Sequence, residues 1–172
     1  MAGLIIAQVA ALLLVGSGGA KLFDPDPTAG AMAAAGIRMG RFGAYVVAVA
    51  EIVTGLAFLV MGGQAGWALA VVYAGFAAFV GVALARHRAI QSCGCFGRAD
   101  TPPTILHLAF NLVAAAAGAL AALNGAPGLI ESLPAGPMEA GLYLLFLGAA
   151  VFGIYLMLAE LPRTMAAARG AG

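Results

Sequence analysis

The sequence predicts an all-α polytopic membrane protein, a bundle of five transmembrane helices. Of its 172 residues, 63% are hydrophobic and only 9% are charged. A water-soluble domain carries roughly a quarter of its residues as Asp, Glu, Lys and Arg, so the polar surface that water requires is missing. The apolar residues gather in five runs, each near the ~20 residues that a helix needs to cross a hydrocarbon core about 30 Å thick. With a net charge of +1, no electrostatic case exists for nucleic acid, and two cysteines are too few for a secreted disulfide framework.

The runs place spans at Ala2–Phe23, Phe42–Met61, Gly66–Ala85, Ile105–Leu123 and Ala140–Ala159, within one membrane domain covering residues 1–172. No basic residue precedes the first run, and its apolar character continues to Leu22, so it reads as a retained helix and not as a cleaved signal. Pro25 and Pro27 are expected to stop it, because proline lacks an amide hydrogen and disfavours helical geometry in the residue before it. The Ala-rich stretch from Thr28 to Ile37 reads as a short interfacial helix. Small residues crowd the spans, as at Gly16-Ser17-Gly18-Gly19-Ala20 and Ala114–Ala117, and allow close backbone approach where lipid supplies no hydrophobic drive for association. Trp67 and Tyr143 suit anchoring at the membrane interface.

All eight cations fall on one side of this five-span arrangement: Lys21, Arg38, Arg41, Arg86, Arg88, Arg98, Arg163 and Arg169. Lysine and arginine beside spans are retained in the cytoplasm, which puts the amino terminus outside and the carboxyl terminus inside. The loop after the third span is then cytoplasmic, and it contains Ser92-Cys93-Gly94-Cys95-Phe96-Gly97-Arg98. Glycine permits the sharp bend that two thiols so close in sequence need for a small ring. Arg98 and the amino end of the next helix favour a reactive thiolate at Cys93 or Cys95.

Four more polar residues share this side. His107 and Asn111 stand four apart and so lie on one helix face. Glu51 lies about 12–15 Å into its span at 1.5 Å per residue, where an unpaired charge is costly; it must bind a partner or stay protonated. Lys21 closes the first span, where a lysine could also extend to the interface without further role. Cys93, Cys95, His107 and Glu51 are the candidate catalytic residues, and Lys21 and Asn111 the candidate cofactor contacts. Thiolates beside an imidazole suit thiol–disulfide exchange, with the imidazole moving protons. Cys93, Cys95 and His107 would equally hold a soft ion such as Cu(I). A third possibility is an accessory subunit of a larger membrane complex, in which the cysteines are incidental.

Gly19-Ala20-Lys21-Leu22-Phe23-Asp24-Pro25, Glu51 with Gly55, and Cys93-Gly94-Cys95-Phe96-Gly97 ahead of Asn111 resemble the MauE branch of the MauE/DoxX redox-associated membrane proteins, over about residues 4–120. The resemblance implies a four-helix core similar to DoxX and to quinone-linked vitamin K epoxide reductases, with the fifth helix an addition. It also implies disulfide formation or maturation of exported redox proteins, with a thioredoxin-like partner or a quinone. Family members often carry arginine just before the asparagine of the fourth helix, where this chain has Phe110. The expected location is the bacterial cytoplasmic (inner) membrane, in contact with the lipid bilayer. Single-cysteine variants in intact cells test the sidedness: an impermeant maleimide should label positions 63 and 131 and spare 93 and 169. Rapid labelling at 93 with none at 131 would reverse the orientation.

Overall fold

A computed structural model describes residues 2–85 and 103–161, and all regular structure within them is helical. The helices are α1 (Ala2–Phe23), α2 (Asp26–Ala34), α3 (Gly40–Met61), α4 (Ala65–Ala85), α5 (Ile105–Leu123) and α6 (Pro137–Tyr155), the last running into a π-helical turn at Leu156–Glu160. Five of them, all but α2, are long and apolar enough to span a membrane. The prolines act differently from one another. α1 stops at Phe23, but Pro27 sits inside the first turn of α2, where its missing amide hydrogen would have no helical partner anyway. The short helix therefore begins two residues earlier than its composition suggests. Pro137 likewise starts α6 three residues ahead of the apolar run.

Two antiparallel pairs make the core. In the first, α1 and α3 touch backbone to backbone: a Cβ on Gly18 would lie 2.6 Å from the Ala48 carbonyl oxygen, and one on Gly55 would lie 2.6 Å from that of Ala11. In the second, a Cβ on Gly66 would lie 2.5 Å from the Gly118 oxygen, so α4 and α5 meet at a distance that only glycine allows. Ala7, Ala10, Leu14, Phe58, Leu69, Tyr73 and Ala117 fill the space between the pairs. The Tyr73 hydroxyl donates to the Ala10 carbonyl at 2.8 Å, which satisfies a phenol deep in the apolar interior.

α6 stands outside this four-helix core. It is the least buried of the spans, and it packs on α1 through Leu147 with Val9 and Leu13, with Phe110 of α5 beside them. A polar clasp secures it. Gln8, fully buried in α1, donates from Nε2 to the Ser132 hydroxyl at 2.9 Å and accepts from the Tyr143 hydroxyl. Tyr143 is thus tied to another helix, where the sequence suggested only an interfacial anchor. α2 packs against the start of α3 and the end of α4, with Ala31 on Ala83 and Phe79. Arg41 grips Asp26 through two hydrogen bonds of 2.5 and 2.6 Å, and these hold the Asp26 carboxyl below the usual carboxylate range.

Gly66→Val should force α4 and α5 apart and destabilise the bundle by about 1–3 kcal/mol, as overpacked cores do. Gly19→Ala, whose added Cβ meets nothing within 4 Å, should leave thermal stability in detergent unchanged.

Candidate functional site

Lys21 and Glu51 form the site's charged centre. Lys21 Nζ lies 2.8 Å from Glu51 Oε1 and 2.9 Å from Oε2, and the two side chains are 2% and 1% exposed. Local sequence explains the approach. Ser17 and Lys21, four residues apart, share one face of α1, and the ammonium donates to the Ser17 hydroxyl at 2.6 Å. Between them, Gly18 has no side chain to hold α3 away, and its missing Cβ would sit 3.2 Å from the Cβ of Glu51. Lys21 thus folds into the bundle and does not extend to the interface. Burial of two charges in an apolar interior is tolerated because each neutralises the other and Ser17 adds a hydrogen bond.

His107 has a different setting. Thr104 caps α5, accepting from the His107 backbone amide, while the Thr104 backbone N–H donates to His107 Nδ1 at 3.3 Å and its hydroxyl lies 2.9 Å from the same nitrogen. The imidazole occupies the position that glutamate or glutamine usually fills in a capping box. Because a backbone amide only donates, Nδ1 is the acceptor and the ring proton of the neutral form belongs on Nε2. That nitrogen is buried, and the Leu158 backbone is the ring's hydrogen-bonding neighbour on the other side. The π-helical turn buries Leu158 and Ala159 there, a local irregularity of the kind found at functional sites.

A cavity of about 30 Å³ separates His107 from α1, walled by Ser17, Tyr73, Phe110, Asn111 and Leu158. One water needs about 10–15 Å³ of such space, so the cavity has room for one or two. Ser17 is therefore shared: its hydroxyl touches the ion pair, and its side chain faces the cavity that His107 and Asn111 line. Two polar groups, Thr104 with His107 and Ser17 with Lys21 and Glu51, thus flank one small and mainly apolar cavity.

His107 and Asn111 meet at one cavity, as their spacing suggested, while Lys21 and Glu51 meet across two helices. Lys21 and Asn111, both expected as cofactor contacts, line different cavities: Lys21 and Glu51 wall a larger one of about 340 Å³ between α2, α3 and α4. Cys93 and Cys95 lie outside the described residues. Among the described residues no group of three or more His, Cys, Asp or Glu could hold a metal. Sequence reasoning missed Ser17 and the Gln8–Tyr143–Ser132 clasp. The available signal was a hydroxyl one helical turn before a lysine within an apolar run.

The chain is thus a multi-pass helical membrane protein built on a four-helix core with a buried charged centre. The family model for the methylamine utilisation protein MauE matches residues 1–124, and the chain belongs to that family. The match ends one residue past α5 and so takes in the four core helices and leaves out α6. No curated protein and no solved structure matches the chain.

Removing one ion should cost far more than removing both. Lys21→Met alone should lower stability by about 3–5 kcal/mol, because it strands a buried carboxylate. Lys21→Met with Glu51→Gln should recover most of that loss. Denaturation in detergent checks this, and equal losses for the single and double variants would show that the charges do not depend on each other.

Proposed function

We propose that this protein is a membrane thiol:disulfide redox protein that supports disulfide formation or maturation of exported redox proteins. The observation that supports the reading is the buried imidazole of His107 in the first turn of α5, twelve residues after Cys95 in sequence and beside the cavity that Ser17 also lines. In the exchange, the Cys93/Cys95 dithiol gives two electrons and two protons and becomes a disulfide, and a disulfide of a thioredoxin-like partner becomes a dithiol. The reverse direction regenerates the pair. An attacking thiol must first lose its proton to become a thiolate, and His107, the nearest described imidazole in sequence, takes that proton up only when Nδ1 is released from the Thr104 amide. Glu51 with Lys21 offers a fixed pair of charges beside Ser17, and Asn111 a hydrogen-bonding group at the cavity wall.

In this reading the protein lies in the bacterial cytoplasmic membrane, with the amino terminus outside and both cysteines on the cytoplasmic side with the cations. A lipid-soluble quinone is the alternative electron acceptor. Lys21 walls a cavity large enough for a small ring, while Asn111 belongs to one that holds only water-sized occupants. A soft-metal reading, with Cu(I) on Cys93, Cys95 and His107, would need the His107 ring to turn Nε2 from proton carrier to ligand. Its Nδ1 would then have to carry a proton against the Thr104 amide.

Titration of purified protein against glutathione, read by the mass of alkylated thiols, decides between these. A three-residue Cys-Gly-Cys ring is strained, so the pair should interconvert at a potential above the structural range, which lies below about −300 mV. In membranes, the Lys21→Met/Glu51→Gln variant should reoxidise its cysteines more slowly than wild type while keeping its fold. A pair that stays reduced in strongly oxidising buffer, or stoichiometric metal that survives dialysis, would replace the thiol reading with the metal one.

A further inference from the structure

The larger cavity, of about 340 Å³, is a slot that runs along α4 from Val80 to Val71, about 14 Å of helix at 1.5 Å per residue. That length is close to half of a hydrocarbon core about 30 Å thick, which is the depth of one leaflet. α2 closes the slot near the end of α4, where Ala31 packs on Ala83 and Phe79, and Val47 and Ala50 of α3 form the wall opposite. The flank is open. Ala50, Val71 and Gly75 line the slot and are exposed, which on spanning helices means exposed to lipid.

Almost all of the lining is apolar. Lys21 and Glu51 lie in it, but the three hydrogen bonds of the ammonium go to the two Glu51 oxygens and to Ser17, so the pair asks nothing of an occupant. Charge is available only at the α2 end. Ile37 lines the slot there, and the next residue, Arg38, is exposed. Arg41 is held by Asp26, with Asp24 close by, whereas Arg38 forms no ion pair among the described residues.

An apolar slot one leaflet deep, open sideways to lipid and with an exposed arginine at its interfacial end, matches the layout of a phospholipid. We propose that it holds one acyl chain of an anionic phospholipid from the leaflet on the α2 side. The phosphate lies beside Arg38, and the chain runs from Ile37 along α4 to Val71. No polar contact inside the slot is needed. The chain covers the outer side of the Lys21–Glu51 pair with hydrocarbon, and Arg38 favours an anionic head as a cation near the membrane surface does. The site stands independently of the thiol chemistry.

Lipid titration of the delipidated full-length protein in detergent, read by native mass spectrometry, tests this. The probes are phosphatidylglycerol and phosphatidylcholine with identical palmitoyl and oleoyl chains, so only the head differs. One phosphatidylglycerol should bind saturably, about fivefold more tightly than phosphatidylcholine, the effect of one cation near the surface. A Cβ added at Gly75 meets nothing within 4 Å, so Gly75→Leu fills the slot without a clash at its root. That variant should bind both lipids at least tenfold more weakly, with its melting temperature in lipid-free detergent kept. Ala50→Leu blocks the slot from α3 should Gly75→Leu fail to fold. Arg38→Gln should remove the preference for phosphatidylglycerol and leave phosphatidylcholine binding unchanged. Absence of saturable binding, undiminished binding by a folded blocking variant, or a head preference that is missing in the wild type or survives Arg38→Gln would overturn the proposal.

Discussion

The buried Lys21–Glu51 pair is the constraint around which the rest of the bundle is arranged. Each ion is too costly to leave alone in an apolar interior, so α1 and α3 must lie in one register and at one distance. The glycines follow from that requirement. Gly18 and Gly55 are placed where the backbones of α1 and α3 come within reach of one another, and a side chain at either would separate ammonium from carboxylate. Ser17 completes the pair's hydrogen bonding and, by facing the cavity at His107, joins the charged centre to the start of α5.

α1 is accordingly the organising helix. One of its faces carries Ser17 and Lys21 toward α3, another packs Leu14 and Ala10 toward Tyr73 of α4, and Val9 and Leu13 meet α6. Gln8 holds α6 and the loop before it through Tyr143 and Ser132. α6 is held by this clasp and by the packing of Leu147 on Val9 and Leu13, and the family match ends before it. The π-helical turn at the end of α6 then returns Leu158 to the core, so α6 helps close the cavity at His107.

His107 illustrates how one residue serves structure and chemistry together. Its Nδ1 stabilises the start of α5 through Thr104, and that bond sets the ring's tautomer and turns Nε2 toward the interior. The cap therefore positions a proton-bearing nitrogen at a cavity wall.

By itself the sequence determined the membrane class, the five spans and their approximate ends, because a run of ~20 apolar residues is a local property with one stable outcome in lipid. It also marked Glu51, His107 and Asn111, since a polar group in such a run is conspicuous whatever surrounds it, and the spacing of four put the last two on one face. Only the tertiary structure decided that Lys21 folds inward to Glu51, thirty residues away, and that Gln8 meets Tyr143 across 135. It likewise separated Lys21 and Asn111 into different cavities. The physical reason is that a charge or amide in hydrocarbon dictates that a partner must exist, while which partner it finds depends on helix register and glycine-limited approach, and neither is a property of one segment.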